Sequence, residues 1–151
     1  MKKVLIITGG RTDTELVREV YEEYKPDVVI AADRGMMASR EIDIVPDYVV
    51  GDFDSGEAEV VRYFKSLFET QGKPIVKAFN PEKDETDTEL AISLALTLSP
   101  KDIVLLGATG TRLDHTLANI ELLYKPLAEG GANTIRRLWA TLGLLLCLTL
   151  L

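Results

Sequence analysis

Hydrophobic positions along the chain form short runs rich in β-branched residues, and these runs alternate with longer segments of helical periodicity. The runs predict strands at residues 3–8, 27–32, 48–50, 74–79 and 103–106. The periodic segments predict helices at residues 12–24, 35–40, 57–70, 86–98 and 112–123. Strands that alternate with helices predict an α/β fold, a Rossmann-like three-layer αβα arrangement in which a mostly parallel sheet is covered on both faces.

Two of the predicted helices begin with the pattern of a capping box. Thr12 precedes Glu15 by three residues, and Thr86 precedes Glu89 by the same spacing. In a capping box the threonine oxygen accepts a hydrogen bond from the backbone N–H three residues later. We therefore predict that Thr12 and Thr86 are the N-caps of the first and fourth helices.

A polar or glycine-rich loop follows each predicted strand. These loops are residues 9–13, 33–35, 51–55, 80–87 and 107–114. The carboxyl ends of parallel strands lie at one edge of a sheet, and ligands of such folds bind outside that edge. All five loops are therefore expected to line one edge, where a functional site would be formed.

The charge balance limits the classes of partner. The chain has 17 Lys and Arg against 24 Asp and Glu, a net charge of −7, which argues against nucleic acid or an anionic membrane as a partner. Cys147 is the single cysteine, so no internal disulfide can form, as is typical of a reducing cytoplasm. The short apolar run near Met1 predicts a buried strand rather than a signal peptide, and we expect a cytoplasmic protein.

Acidic residues are concentrated in two of the loops. Asp52 and Asp54 are two positions apart on a turning segment, so they can converge on one hard cation, although such a pair is also common in a solvated turn. In residues 82–89, helix-dipole stabilisation explains Asp87, but it explains Asp84 and Glu85 less well. If the two loops face each other, their repulsion requires a counter-ion, for which magnesium is the simplest choice.

The loop after the fifth predicted strand has features of an anion site. Its sequence, Gly107-Ala-Thr-Gly-Thr-Arg112, has small residues that let a phosphate approach backbone N–H groups, and Arg112 is a bidentate phosphate donor. Neither a Walker loop nor a dinucleotide-binding fingerprint occurs in the chain. His115, the single histidine, is more typical of a structural hydrogen bond than of proton transfer. One histidine and one cysteine also disfavour a zinc site.

Four motifs together resemble those of bacterial thiamine pyrophosphokinases over about residues 1–124. The motifs are Ala31-Ala-Asp-Arg-Gly35, Gly51-Asp-Phe-Asp-Ser55 preceded by Pro46-Asp47, Asp84-Glu-Thr-Asp-Thr-Glu89, and Gly107-Ala-Thr-Gly-Thr-Arg-Leu-Asp-His115 with Leu117-Ala-Asn-Ile120. The resemblance implies an enzyme that transfers a diphosphate from ATP to the hydroxyl of thiamine and releases AMP. It also implies a magnesium cofactor and a homodimer.

The resemblance also implies roles for individual residues. The implied catalytic residues are Asp52, Asp54, Asp87, Arg112 and Asp114. The implied metal ligands are Asp52, Asp54, Asp84 and Asp87. The implied nucleotide-binding residues are Asp33, Gly35, Gly107, Thr109, Arg112 and His115. The sequence departs from the family pattern at Arg34 and Thr111, where glycine is usual.

The end of the chain differs in character from the rest. Residues 138–151 are fourteen positions without a charge, fewer than the roughly 20 that span a membrane. This tail is interpreted either as a helix or strand packed on the core or on another subunit, or as altered sequence. We divide the chain into a catalytic α/β domain at residues 1–128 and an atypical apolar tail at residues 129–151. The second, mostly β domain of the family has no counterpart in the tail sequence, so we expect a complete nucleotide site and an incomplete thiamine site.

Two other functions are compatible with the same residues. A sugar-nucleotide transferase also uses paired acids such as Asp52 and Asp54 to hold a metal. A non-catalytic nucleotide-binding module is the second alternative.

Overall fold

The protein alternates strands and helices as predicted. The computed structural model describes residues 2–10, 13–53, 58–78, 85–109, 113–122, 124, 137–141 and 145–149. The strands are β1 (Lys2–Ile7), β2 (Val28–Ala32), β3 (Tyr48–Gly51), β4 (Ile75–Ala78), β5 (Pro100–Leu106), β6 (Arg137–Thr141) and β7 (Leu145–Thr149). The helices are α1 (Thr14–Tyr24), α2 (Gly35–Glu41), α3 (Ala58–Gln71), α4 (Asp87–Thr97) and α5 (Leu113–Leu122).

The strands of the described chain form one sheet in the order β4-β3-β2-β1-β5-β6-β7. All neighbouring pairs from β4 to β6 are parallel, and β7 is antiparallel to β6, so the predicted mostly parallel sheet is confirmed. The chain adds β2, β3 and β4 on one side of β1 and then places β5 on the other side. Such a reversal opens a crevice between β1 and β5 at the carboxyl edge of the sheet.

Helices cover both faces of the sheet because alternate strand residues point to opposite sides. On one face, Leu5 of β1 packs with Val17 of α1 and Ala38 of α2, and α3 joins the same layer through a neighbouring cluster. On the other face, Ile6 packs with Leu90 of α4. The predicted three-layer αβα architecture is therefore confirmed.

The N-caps of two helices test the capping prediction. Thr86 caps α4, and its Oγ1 accepts a hydrogen bond from Glu89 N at 3.2 Å, as predicted. The prediction for α1 was wrong, because its N-cap is Asp13, whose Oδ1 accepts from Glu15 N at 2.9 Å. The carboxylate of Asp13 reaches the second helical N–H directly, so it satisfies that donor in place of a threonine. Thr12 lies outside the described residues.

The backbone of the tail forms strands rather than a helix. β6 pairs in parallel with β5, with Arg137 opposite Asp102, and β7 returns antiparallel to β6. Within the described part of the chain, no helix combines the length and apolar character that crossing a bilayer requires. The division of the chain at residues 128 and 129 remains a prediction.

The opposite, amino edge of the sheet contains a half-buried tyrosine, Tyr24, whose hydroxyl is buried. The hydroxyl of Tyr24 and Oδ1 of Asp102 are buried, and neither has a hydrogen-bond partner among the described residues. Burial raises the pKa of the Tyr24 phenol above its usual range. The negative charges of Asp102 and Asp27 raise this pKa further, against an opposing contribution from the Val4 backbone.

Tyr24→Phe is expected to change the pH dependence of stability. Because the pKa of Tyr24 is raised in the folded state, the unfolded chain loses its phenolic proton first, and the free energy of unfolding falls as the pH rises above about 10. Tyr24→Phe removes this part of the alkaline loss.

Urea unfolding at pH 7 and at about pH 10.5 measures this loss as the difference between the two free energies of unfolding. Tyr21→Phe is the matched control, because Tyr21 lies on the same helix and is 37% exposed. An alkaline loss that is the same in wild type and Tyr24→Phe would contradict this account.

Candidate functional site

The carboxyl edge of the sheet carries the loops that were predicted to form a site. Gly9 and Gly10 follow β1, Asp33 follows β2, Asp52 follows β3, and Gly107 follows β5. Because these strands are parallel, all of the loops lie at one edge. The described parts of four of the five predicted loops therefore share one edge, whereas residues 80–84 of the fifth loop, after β4, lie outside the described residues.

The first turn of α4 lies at the same edge. α4 ends at Thr97, and only Leu98 and Ser99 separate it from the amino end of β5. An 11-residue helix is about 16 Å long, close to the length of a five-residue strand, so α4 spans the sheet from edge to edge. Asp87, in its first turn, therefore lies at the carboxyl edge together with Asp52.

The loops after β1 and β5 touch across the crevice. Gly10 N donates to Gly107 O at 3.0 Å, and Thr8 N donates to Leu106 O at 2.9 Å. A Cβ on Gly10 would overlap the carbonyl oxygens of Gly107 and Thr109, so only glycine permits this approach. Gly107 itself has a φ of 72°, a conformation that favours glycine. The two backbones are thus in direct contact at the topological switch point.

Asp33 lies beside the loop after β1. Its φ is 50°, its N–H donates to Val50 O at 3.0 Å, and its carboxylate lies where a Cβ of Gly9 would be. A left-handed conformation is uncommon outside glycine, is best tolerated by asparagine and aspartate, and is concentrated at functional sites. Gly35 has a clear packing role, because a Cβ there would overlap the carbonyl oxygen of Ile7. Its implied role in nucleotide binding remains a prediction.

The loop after β3 combines an exposed acid with an anchored aromatic ring. Asp52 is exposed, and Phe53 is half-buried with a φ of 54°. The Phe53 ring comes within 3.1 Å of a Cβ built on Gly51, and it packs against the apolar cluster beneath α3. The ring therefore fixes the loop to the core immediately after Asp52. Asp54 lies outside the described residues.

The predicted metal ligands are only partly described. Asp52 and the half-buried Asp87 lie at the same edge, whereas Asp54 and Asp84 are outside the described residues. In the described ranges, no group of three or more His, Cys, Asp or Glu residues is arranged to hold a metal ion. The four-residue magnesium site therefore stays a prediction.

The start of α5 completes the edge. Asp114 and His115 are both exposed in its first turn, and Arg112 is outside the described residues. Asn119, one turn further along, donates from Nδ2 to Ala108 O at 2.7 Å. Asn119 lies in the motif Leu117-Ala-Asn-Ile120, but its sequence neighbours indicate no role for it, nor for Thr8 or Gly10, since only the assembled fold brings these residues to the loop after β5.

Two clefts lie away from this edge. An open cleft of about 610 Å³ lies between α1 and the loop that follows α2, and Arg18, Asp43 and Lys73 are among the residues that line it. A smaller cleft of about 270 Å³ is formed by α3 and the edge strand β4, with Phe68 and Ile75 in its wall. Neither contains a residue that was predicted to act in the site.

The fold and the edge described above define a doubly wound α/β protein with a glycine-lined crevice at its switch point. A family model described as "Thiamin pyrophosphokinase, catalytic domain" matches residues 20–135. The chain therefore belongs to the thiamine pyrophosphokinase catalytic-domain family.

Individual relatives agree with this membership. The chain is 36% identical over 126 residues to a thiamine pyrophosphokinase of Bacillus subtilis, a match that covers 83% of the chain and 56% of the relative. The thiamine pyrophosphokinase structure from Bacillus subtilis has a TM-score of 0.69 at 28% identity and covers 93% of this chain and 60% of that one. The structure from Geobacillus thermodenitrificans has a TM-score of 0.66 at 32% identity, with coverage of 92% and 59%. The chain thus spans less than two thirds of the length of these relatives.

Proposed function

We propose that this chain is the nucleotide-binding catalytic part of a magnesium-dependent thiamine diphosphokinase. The reaction transfers the terminal diphosphate of ATP to the hydroxyl of thiamine and releases AMP. The observation that carries the proposal is the convergence of the β1–β5 crevice with Asp52 and Asp87 at one edge of the sheet, in a chain of this family.

The loop at residues 107–109 is proposed to receive phosphate groups of ATP. It crosses the switch point and leads into the N-terminus of α5, where the helix dipole favours an anion. Gly10, which touches this loop, contributes no side chain to this part of the crevice. Arg112 would add a bidentate donor to a phosphate oxygen, and Thr109, His115, Asp33 and Gly35 are proposed to border the rest of the nucleotide.

Asp52, Asp54, Asp84 and Asp87 are the proposed magnesium ligands. The donor set fits the ion, since carboxylate oxygens are hard ligands that suit magnesium. Acids at an edge that must also accept ATP would repel its phosphates unless a cation is shared between them. When bound, magnesium supplies neutralisation of the charge on the phosphate oxygens.

The chain's own residues would contribute mainly by positioning and by charge. The hydroxyl oxygen of thiamine forms a bond to the β-phosphorus, the bond from that phosphorus to the bridging α,β-oxygen breaks, and AMP leaves with the electron pair. The hydroxyl proton leaves the oxygen in the same overall step. Asp114, exposed in the first turn of α5, is our candidate to accept it.

The proposal extends to a cytoplasmic homodimer. The family resemblance supports the dimer, and the single cysteine is consistent with a reducing compartment. Sedimentation analysis of the full chain would report a mass of twice 16.7 kDa if the dimer forms.

The test of the function is the identity of the products. The full chain is mixed with magnesium and ATP, with and without thiamine, and nucleotides are separated and quantified. We expect calorimetry to show magnesium-dependent ATP binding, and AMP release to require thiamine. Because the thiamine site is expected to be incomplete, the chain should bind Mg-ATP better than it converts thiamine. Release of ADP, or reaction only with a sugar nucleotide, would contradict the proposal, and ATP binding without any AMP would indicate a binding module.

A further inference from the structure

The loop after β5 is held by side chains from two different elements. Thr8, which is 2% exposed at the end of β1, donates from Oγ1 to Gly107 O at 2.7 Å and to Leu106 O at 3.2 Å. Asn119 of α5 donates from Nδ2 to Ala108 O at 2.7 Å. Two successive carbonyl groups of the loop are therefore bound by side chains, one from the residue that follows β1 and one from α5.

These bonds set the directions of two backbone donors. In a planar trans peptide, the C=O and the N–H of the same unit point in opposite directions. The Gly107 carbonyl is directed to Thr8 and also accepts from Gly10 N at 3.0 Å, so the N–H of Ala108 is directed away from β1. The Ala108 carbonyl is directed to Asn119, so the N–H of Thr109 is directed away from that side chain.

Packing alone does not explain these two side chains. Thr8 directly follows β1, and its hydroxyl, rather than its methyl group, meets the carbonyls of the neighbouring loop. Asn119 lies on a helix with no buried residue among those described, so its amide is not required to fill a core. Each residue instead donates one short hydrogen bond, at 2.7 Å, to the same loop. Hydrogen bonds of this kind hold a binding loop in a fixed geometry.

We propose that Thr8 and Asn119 are positioning residues for nucleotide binding. They hold the peptide planes of residues 107–109 in the orientation in which this loop receives a phosphate group. The inference rests on the proposed function for the identity of the ligand. Neither residue touches the reacting atoms; each acts through the loop.

Substitutions that remove only the donor test this role. Thr8→Val replaces the hydroxyl with a methyl group of similar size, and Asn119→Leu replaces the amide with an uncharged group of similar size. Thr8→Ser keeps the hydroxyl and serves as the conservative rescue. Thr97→Val is the matched control, because Thr97 Oγ1 donates to Leu94 O at 2.7 Å near the end of α4, at the other edge of the sheet.

Three measurements on the full chain separate positioning from stability. Residual dipolar couplings of the Ala108 and Thr109 N–H bonds, recorded without ATP, report the orientation of the loop. Calorimetry gives the Kd for Mg-ATP, and urea unfolding gives stability. We expect Thr8→Val and Asn119→Leu to change both couplings and to raise the Kd by up to about tenfold, the size of effect that loss of one hydrogen bond produces. Thr8→Ser and Thr97→Val should leave the couplings and the Kd within twofold of wild type.

The outcomes distinguish this inference from the proposed function. If wild type binds Mg-ATP, but both donor-free variants bind it within twofold of wild type, the inference is overturned and the function stands. Unchanged couplings in both variants overturn it as well. If wild type does not bind Mg-ATP, the proposed function fails, and with it the nucleotide role of the two residues.

Discussion

Asp52→Asn is expected to weaken magnesium-dependent ATP binding by about 100-fold, the upper end of what loss of even an indirect metal partner produces. The substitution keeps the size of the side chain and removes its negative charge. Asp52 is exposed immediately after β3, next to a ring that is packed in the core, so the fold should tolerate the change. Calorimetry with and without magnesium measures the effect, and AMP release should fall in parallel.

Asp43→Asn is the control for this prediction. Asp43 is also exposed and lies beyond α2, at the amino edge of the sheet. Its φ of 59° is one that asparagine adopts readily, so the variant should fold and bind ATP as wild type does. Equal ATP affinities for Asp52→Asn and Asp43→Asn would remove Asp52 from the site.

Gly35→Ala is expected to lower the free energy of unfolding by about 3 kcal/mol, the upper end of the usual range for overpacking. A Cβ at this position overlaps the carbonyl oxygen of Ile7, which is main chain and cannot rotate away. Relief requires α2 to move from β1, which would disturb Asp33 and the carboxyl edge. Urea unfolding measures the loss, and ATP affinity should fall with it.

Gly72→Ala separates this steric effect from the ordinary effect of losing a glycine. Gly72 has a φ of 72°, and no atom lies within 4 Å of a Cβ built there. Its substitution should therefore lower the free energy of unfolding by only about 1 kcal/mol, from backbone strain. A loss at Gly35 no larger than the loss at Gly72 would contradict the packing described here.

The sequence was sufficient to predict the elements whose signals are local. The run around Val4 and the run around Ile103 predicted strands because a buried parallel strand is apolar on both faces. Thr86 and Glu89 predicted the start of α4 through a bond that spans three residues. The wrong N-cap predicted for α1 also has a local origin. Asp13 and Thr12 can both accept from the first N–H groups of the helix, and the sequence does not show which of the two is the N-cap.

Features that depend on distant contacts were not predictable in the same way. Asp52 and Asp87 were expected at one edge because the carboxyl ends of parallel strands lie together, and this expectation needs only the direction of the strands. The contact of Thr8 with Gly107 joins residues 99 positions apart, and it exists only because β1 and β5 are neighbours. Whether the apolar tail forms a helix or a strand was open for the same reason, since only pairing with β5 gives residues 137–141 a strand. The alternative of altered sequence stays open.

The central claim is that acids far apart in the chain share one cation with ATP. A double-mutant cycle measures this sharing directly, using the Mg-ATP affinities of wild type, Asp52→Asn, Asp87→Asn and the double variant. We predict strong non-additivity, with the double variant binding about as weakly as either single variant and magnesium no longer improving its affinity. Independent effects that multiply in the double variant, or ATP binding equally strong without magnesium in wild type, would contradict the account.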